Sequence, residues 1–146
     1  MNNLMSWRLG AGQVTQLAGI TYRQLDWWIH TEIVQCADPA AGRGCDRGYS
    51  VYDLIAIRAA AGLRKEGASL QAIRKAVDAL RAKWGIDSPL HSGRMLVING
   101  RVYFVESNTD IWDVLRGQLA SNRFFTLDAS ELARDTIERV TVIMAA

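Results

Sequence analysis

The sequence predicts an α+β fold, and three stretches carry that prediction. Two short segments, Gln13–Ala18 and the run opening at Thr21, are separated only by Gly19 and Ile20, the pattern of two helices meeting across a tight turn. Further on, Met95–Ile98 and Arg101–Val105 are β-rich runs joined by Asn99-Gly100, the residue pair that a two-residue hairpin turn favours. Near the end, Asp128 and Glu131 have the spacing of a helix capping box ahead of Leu132, Ile137 and Val140.

Taken in order, Val14, Leu17 and Ala18 share one face of the first helix, and Gly19 stops it. Thr21 is a good N-cap for the second helix. Ile20, Leu25 and Trp28 turn inward there, leaving Tyr22, Arg23 and Gln24 on the outward first turn, where side chains that read base edges or phosphates would have to sit. The pair is a helix-turn-helix candidate. Ile33, Val34 and Cys36 make Thr31–Ala37 a strand candidate. Asp38–Gly48 is loop by its Gly, Pro and Asp content, and Tyr49–Tyr52 can return as the partner strand. That hairpin, with Arg43 and Arg47 on its tip, has the form of a wing. Asp53 onward shows helical periodicity ending at Glu66-Gly67, and Ser69 caps a helix whose apolar stripe runs Leu70, Ile73, Val77, Leu80 and Trp84.

Gly85–Gly93 reads as a linker, so the chain divides into 1–85 and a small α+β unit over 94–146. After the Asn-Gly hairpin, Asn108 or Thr109 caps a helix through Leu119. Phe124–Leu127 is a short apolar run of open state before the last helix.

Composition narrows the function classes. The 146 residues are 49% hydrophobic and 22% charged, ordinary for a globular chain with a core. No apolar run approaches a membrane span, and Met1–Leu9 lacks an export pattern, so a cytoplasmic, nucleoid-associated protein without a membrane partner is expected. Residues 1–85 carry eleven Lys/Arg against seven Asp/Glu, net +4, whereas the remainder is net −2, a distribution suited to a front half that meets a polyanion. His30, Cys36 and Cys45 do not supply the four closely spaced ligands of a structural zinc site. Free thiols, no metal and no cofactor are expected, and His91 stands alone in the linker. The carboxylates Asp110, Asp113, Asp128, Glu131 and Asp135 fall at helix starts and on amphipathic faces, where capping and the helix dipole account for them. No nucleophile-base or phosphate-loop arrangement stands out, so an enzyme is not expected.

The order Gly12-Gln13-Val14-Thr15-Gln16-Leu17-Ala18-Gly19-Ile20-Thr21, Arg23-Gln24-Leu25 before Trp27-Trp28, Arg47-Gly48-Tyr49-Ser50-Val51-Tyr52-Asp53-Leu54, and Leu63-Arg64-Lys65-Glu66-Gly67-Ala68-Ser69-Leu70-Gln71-Ala72-Ile73 resembles the DNA-binding module of MerR-type transcription regulators. The resemblance is closest to short actinobacterial members with a small mixed C-terminal domain. It implies a winged helix-turn-helix and a homodimer on a pseudo-palindromic promoter element of double-stranded DNA, with RNA polymerase a further candidate partner. DNA contacts are then expected from Thr21, Tyr22, Arg23, Gln24, Trp27, Arg43, Arg47, Tyr49 and Ser69. Arg23 and Gln24 would read bases, Arg43 and Arg47 would meet phosphates or a minor groove, and Trp27 would offer its indole N–H to a phosphate while Trp28 is core. Two departures stand out: Asp26 occupies a position where many members carry arginine, and Pro89 with the Asn-Gly hairpin replaces the long dimerising coiled coil.

Two other functions fit parts of this pattern. An excisionase-like architectural protein shares the winged module but is usually little more than that module. An antitoxin or sigma-factor-type interaction module would use the aromatic face on protein.

Overall fold

The computed structural model describes residues 6–38, 47–74, 94–98, 101–105 and 124–145. Helix α1 spans Ala11–Ala18, where the Gly10 amide donates to the Gln13 side chain at 3.1 Å. It ends as the sequence requires: Gly19 takes φ 68°, the left-handed region, and its N–H closes onto the Thr15 carbonyl at 2.9 Å. Helix α2, Tyr22–His30, opens with a full capping box, the Gln24 amide donating to Thr21 Oγ1 at 3.1 Å and the Thr21 amide to Gln24 Oε1 at 2.9 Å.

The next two elements correct the sequence reading. Thr31–Ala37 and Tyr49–Tyr52 are not strands; among the described residues the pairing reduces to two isolated bridges, Asp38 with Gly48 and Leu9 with Tyr49. The β-branched Ile33 and Val34 are buried in the core, and their amides turn back onto the Trp28 carbonyl at 3.0 and 3.4 Å, extending the end of α2. Their apolarity reflects burial, not sheet formation. Val51 and Tyr52 are drawn into helix α3, Val51–Lys65, by a second capping box in which Ser50 Oγ accepts from the Asp53 amide at 3.1 Å and Asp53 Oδ2 accepts from the Ser50 amide at 2.8 Å. The same carboxylate accepts from the Ala37 amide at 2.6 Å, so it also fixes the loop entering this region.

After α3, Gly67 adopts φ 95° and Ser69 Oγ accepts from the Ala72 amide at 3.0 Å, starting a helical turn over 70–74. The rest of that stripe, the linker at 85–93, the Asn99-Gly100 turn and the helix expected from Asn108 lie outside the described residues. Strands β1 (Arg94–Ile98), β2 (Arg101–Val105) and β3 (Phe124–Asp128) form an antiparallel sheet in the order β2-β1-β3. Ile98 pairs with Arg101, which leaves two residues between the strands, as the hairpin expectation required. The run of open state, Phe124–Leu127, is therefore a strand. Helix α4, Ala129–Ala145, follows at once, with Asp128 Oδ1 accepting from the Glu131 amide at 3.2 Å.

Leu25, Trp28, Ile33, Tyr49, Leu54, Ile57 and Leu63 from the front share one hydrophobic cluster with Val97, Leu127 and Val140 from the back. Helix α3 packs on α1 with one side and on α4 with another. Gly62 makes room for this approach, since a Cβ there would stand 3.2 Å from Leu127 Cδ1. A polar tie crosses the same seam: Arg58 Nη1 donates to Asp135 Oδ2 at 2.9 Å and to Thr136 Oγ1 at 2.6 Å, while Arg139 Nε reaches the same Asp135 oxygen at 2.8 Å. Those guanidinium hydrogen bonds, Arg58 first, hold the Asp135 carboxyl below its ordinary range. A depressed folded-state value means the tie stabilises above the ordinary carboxylate range and is lost as pH falls through the folded value. The melting-temperature gap between wild type and Asp135→Asn is therefore expected to narrow as pH drops below about 4, as thermal melts across acidic buffers would show.

Candidate nucleic-acid interface

Helix α2 is set by what it buries. Leu25 and Trp28 lie fully inside the core, so the opposite side of the helix is held outward. Tyr22 and Trp27 are its large exposed side chains, 62% and 56% accessible, an unusual exposure for two aromatics one and a half turns apart. Arg23 is exposed between them with no hydrogen bond or ion pair among the described residues. These three residues, a cation flanked by two amphipathic rings, are what the outward face offers to a groove.

The other expected contacts are placed differently. Thr21 and Gln24 are exposed, but the Thr21 hydroxyl and the Gln24 carbonyl oxygen are engaged in the capping box, leaving the Gln24 side-chain N–H groups as its outward donors. Ser69 likewise serves as a cap. Arg43 lies outside the described residues. Tyr49 is fully buried, and among the described residues its hydroxyl has no partner in good hydrogen-bond geometry, only the Arg47 guanidinium beside it. Burial raises the pKa of that hydroxyl, against the opposing pull of the Arg47 guanidinium beside it. The ring is therefore core, which corrects its expected role as a DNA contact.

Arg47 is mostly covered, 17% accessible, with Nη1 donating to Asp26 Oδ1 at 2.8 Å. Burial works most strongly against its charge, but Asp26 and the neighbouring Tyr49 hydroxyl together more than offset it and raise the guanidinium's pKa. Asp26 is half exposed on α2, and its other oxygen lies 3.4 Å from His30 Nδ1. That ring nitrogen is also 2.8 Å from the Asp26 backbone carbonyl, a contact that places its proton on Nδ1. Cys36 is nearby and half-buried, its thiol pKa pushed up by burial. Arg74 ties the turn at 70–74 to the end of α2 by donating to the Thr31 carbonyl at 3.2 Å. Neither the Arg47–Asp26 pair nor the Arg74 bond has a spacing signal, because each joins residues far apart in sequence.

This geometry defines a helix-turn-helix protein: two capped helices across a glycine turn, the second anchored by Leu25 and Trp28 with a cation and aromatics outward. The pattern of the MerR HTH family regulatory proteins matches residues 11–80, so this stretch of the chain is similar to the helix-turn-helix module of that family. Uncharacterized HTH-type transcriptional regulators of Mycobacterium bovis and of two strains of Mycobacterium tuberculosis are each 39% identical to it over 103 residues, 70% of this chain and 45% of theirs. The chain thus spans less than half the length of these relatives. Among the described residues no helix is long and apolar enough to cross a membrane.

Proposed function

We propose that this protein is a sequence-specific double-stranded DNA-binding transcription regulator that acts in the cytoplasm as a homodimer on a pseudo-palindromic promoter site. The observation that carries the reading is the outward face of α2, where Tyr22, Arg23 and Trp27 stand free above the buried Leu25 and Trp28. Arg23 is close enough to the helix N-terminus to enter a major groove, where a guanidinium can pair with a guanine edge. Tyr22 and Trp27 have polar tips that reach phosphates. The back half, 94–146, is the proposed dimerisation unit, and RNA polymerase is a proposed partner at the promoter. A back half that shares the core with the reading module favours this reading over a minimal excisionase-like protein.

Arg23→Ala is expected to weaken binding to the preferred site by about 1–3 kcal/mol and to relax preference at one or two base positions. Selection from a randomised duplex library, followed by titration of the enriched site at several salt concentrations, measures both. A chain whose binding to duplex DNA is absent, or does not weaken with salt, is not a DNA-binding regulator.

A further inference from the structure

A carboxylate on the outward face of a DNA-reading helix needs an account, because it repels the phosphate backbone that supplies most of the sequence-independent affinity. Asp26 lies one helical turn after Tyr22 and one before His30, on that face. Its partner explains it. The Asp26 side chain is 42% accessible and the Arg47 side chain 17%, so the guanidinium is held behind the carboxylate and against the core. Arg47 directly precedes Gly48, whose amide and carbonyl both pair with Asp38 at 2.9 Å. A Cβ at 48 would meet Asp38 Oδ2 at 2.7 Å, so a larger residue there would have to displace the Asp38 side chain, whose same oxygen accepts from Arg8 Nε at 2.8 Å. Asp38 and Gly48 are thus fastened to each other, and the Arg47–Asp26 bond fastens this bridge to α2.

We propose that Asp26 is a specificity-determining residue: it withholds the Arg47 charge from DNA phosphates and makes that side chain a strut between the reading helix and the Asp38–Gly48 bridge. An added phosphate contact strengthens binding to every sequence alike and brings no discrimination. A guanidinium locked to the protein's own carboxylate forgoes that gain and keeps the Asp38–Gly48 bridge and the helix in one register. The position where many MerR-type members carry arginine then holds the acid that restrains an arginine elsewhere.

This inference rests on the DNA-binding reading. The test compares full-length wild type, Asp26→Asn, Arg47→Gln and the double variant on a random-sequence duplex over a salt series, with selection from a randomised duplex library in parallel and thermal melts as a check on folding. Asp26→Asn frees the guanidinium and is expected to bind random duplex several-fold more tightly, to steepen the salt slope by about one, and to enrich its preferred site about tenfold less. Arg47→Gln is expected to leave the random-duplex slope unchanged while lowering enrichment, and the double variant to return the slope to the wild-type value. Should Asp26→Asn fail to fold, Arg47→Gln still decides the matter, because it removes the charge in question and leaves Asp26 half exposed beside His30. An unchanged slope in Asp26→Asn overturns the proposal, as does a steeper slope that persists in the double variant, which would mean the carboxylate merely repels DNA. A slope about one unit shallower in Arg47→Gln overturns it too, placing that arginine on a phosphate already. A wild type that binds no duplex in a salt-dependent way overturns the DNA reading itself, and this inference with it.

Discussion

Trp28→Ala is expected to remove about 3–5 kcal/mol of stability, while Trp27→Ala, one residue earlier, changes stability by no more than about 0.5 kcal/mol. Trp28 is among the largest fully buried side chains and shares its cluster with Leu25, Ile33, Val34 and Tyr49, so its loss opens a cavity under the helix that carries the exposed face. Trp27 is more than half accessible and leaves no cavity behind. Its removal is expected to weaken DNA binding instead, through the lost indole N–H and ring. Urea denaturation of both variants, set beside duplex titrations, reads out the two effects. If the two substitutions cost similar stability, the orientation of α2 described above is wrong.

Deleting residues 86–146 is expected to be more damaging still. Leu127 and Val140 are buried, and Leu132, Ala133, Ile137 and Met144 pack against the common cluster, so their removal exposes the side of α3 that they pack on. At about 1.5–3 kcal/mol for each fully buried aliphatic side chain, the loss reaches the about 5–15 kcal/mol that holds a domain together. The fragment 1–85 is therefore expected to lose its cooperative thermal transition, seen by circular dichroism. A fragment that melts cooperatively near the wild-type temperature would show that the front half needs no cover from the back.

The linker signal at 85–93 rests on local composition, which has no means of registering that Val97, Leu127 and Val140 share a cluster with the front half. What was legible was local. Thr21, Gly19, Ser69 and Asp128 act as caps or stops because their chemistry operates within a few residues. The same locality revealed the hairpin register through Asn99-Gly100. Ile33 and Val34 misled because β-branching suits both a strand and a buried plug, and only the tertiary setting decides between them. Val51 and Tyr52 misled because Ser50 and Asp53 form a capping box that outweighs their strand preference. At the site, the family likeness pointed to the outward turn of α2, but it assigned Tyr49 a surface role that burial denies. The pairing of Asp26 with Arg47 spans 21 residues and had no pattern to announce it.

The Arg58 tie to Asp135 and Thr136, laid over the Gly62 contact with Leu127, has a geometric consequence at longer range. A helix-turn-helix whose α3 is braced in this way does not swing on a tether. If two copies join through their back halves, they form a caliper whose opening is set by protein geometry, and half-sites on DNA must match it to within the reach of a side chain. One extra base pair between half-sites advances the second by about 3.4 Å and turns it by about a tenth of a helical turn. Such an assembly would measure spacer length as strictly as it reads bases.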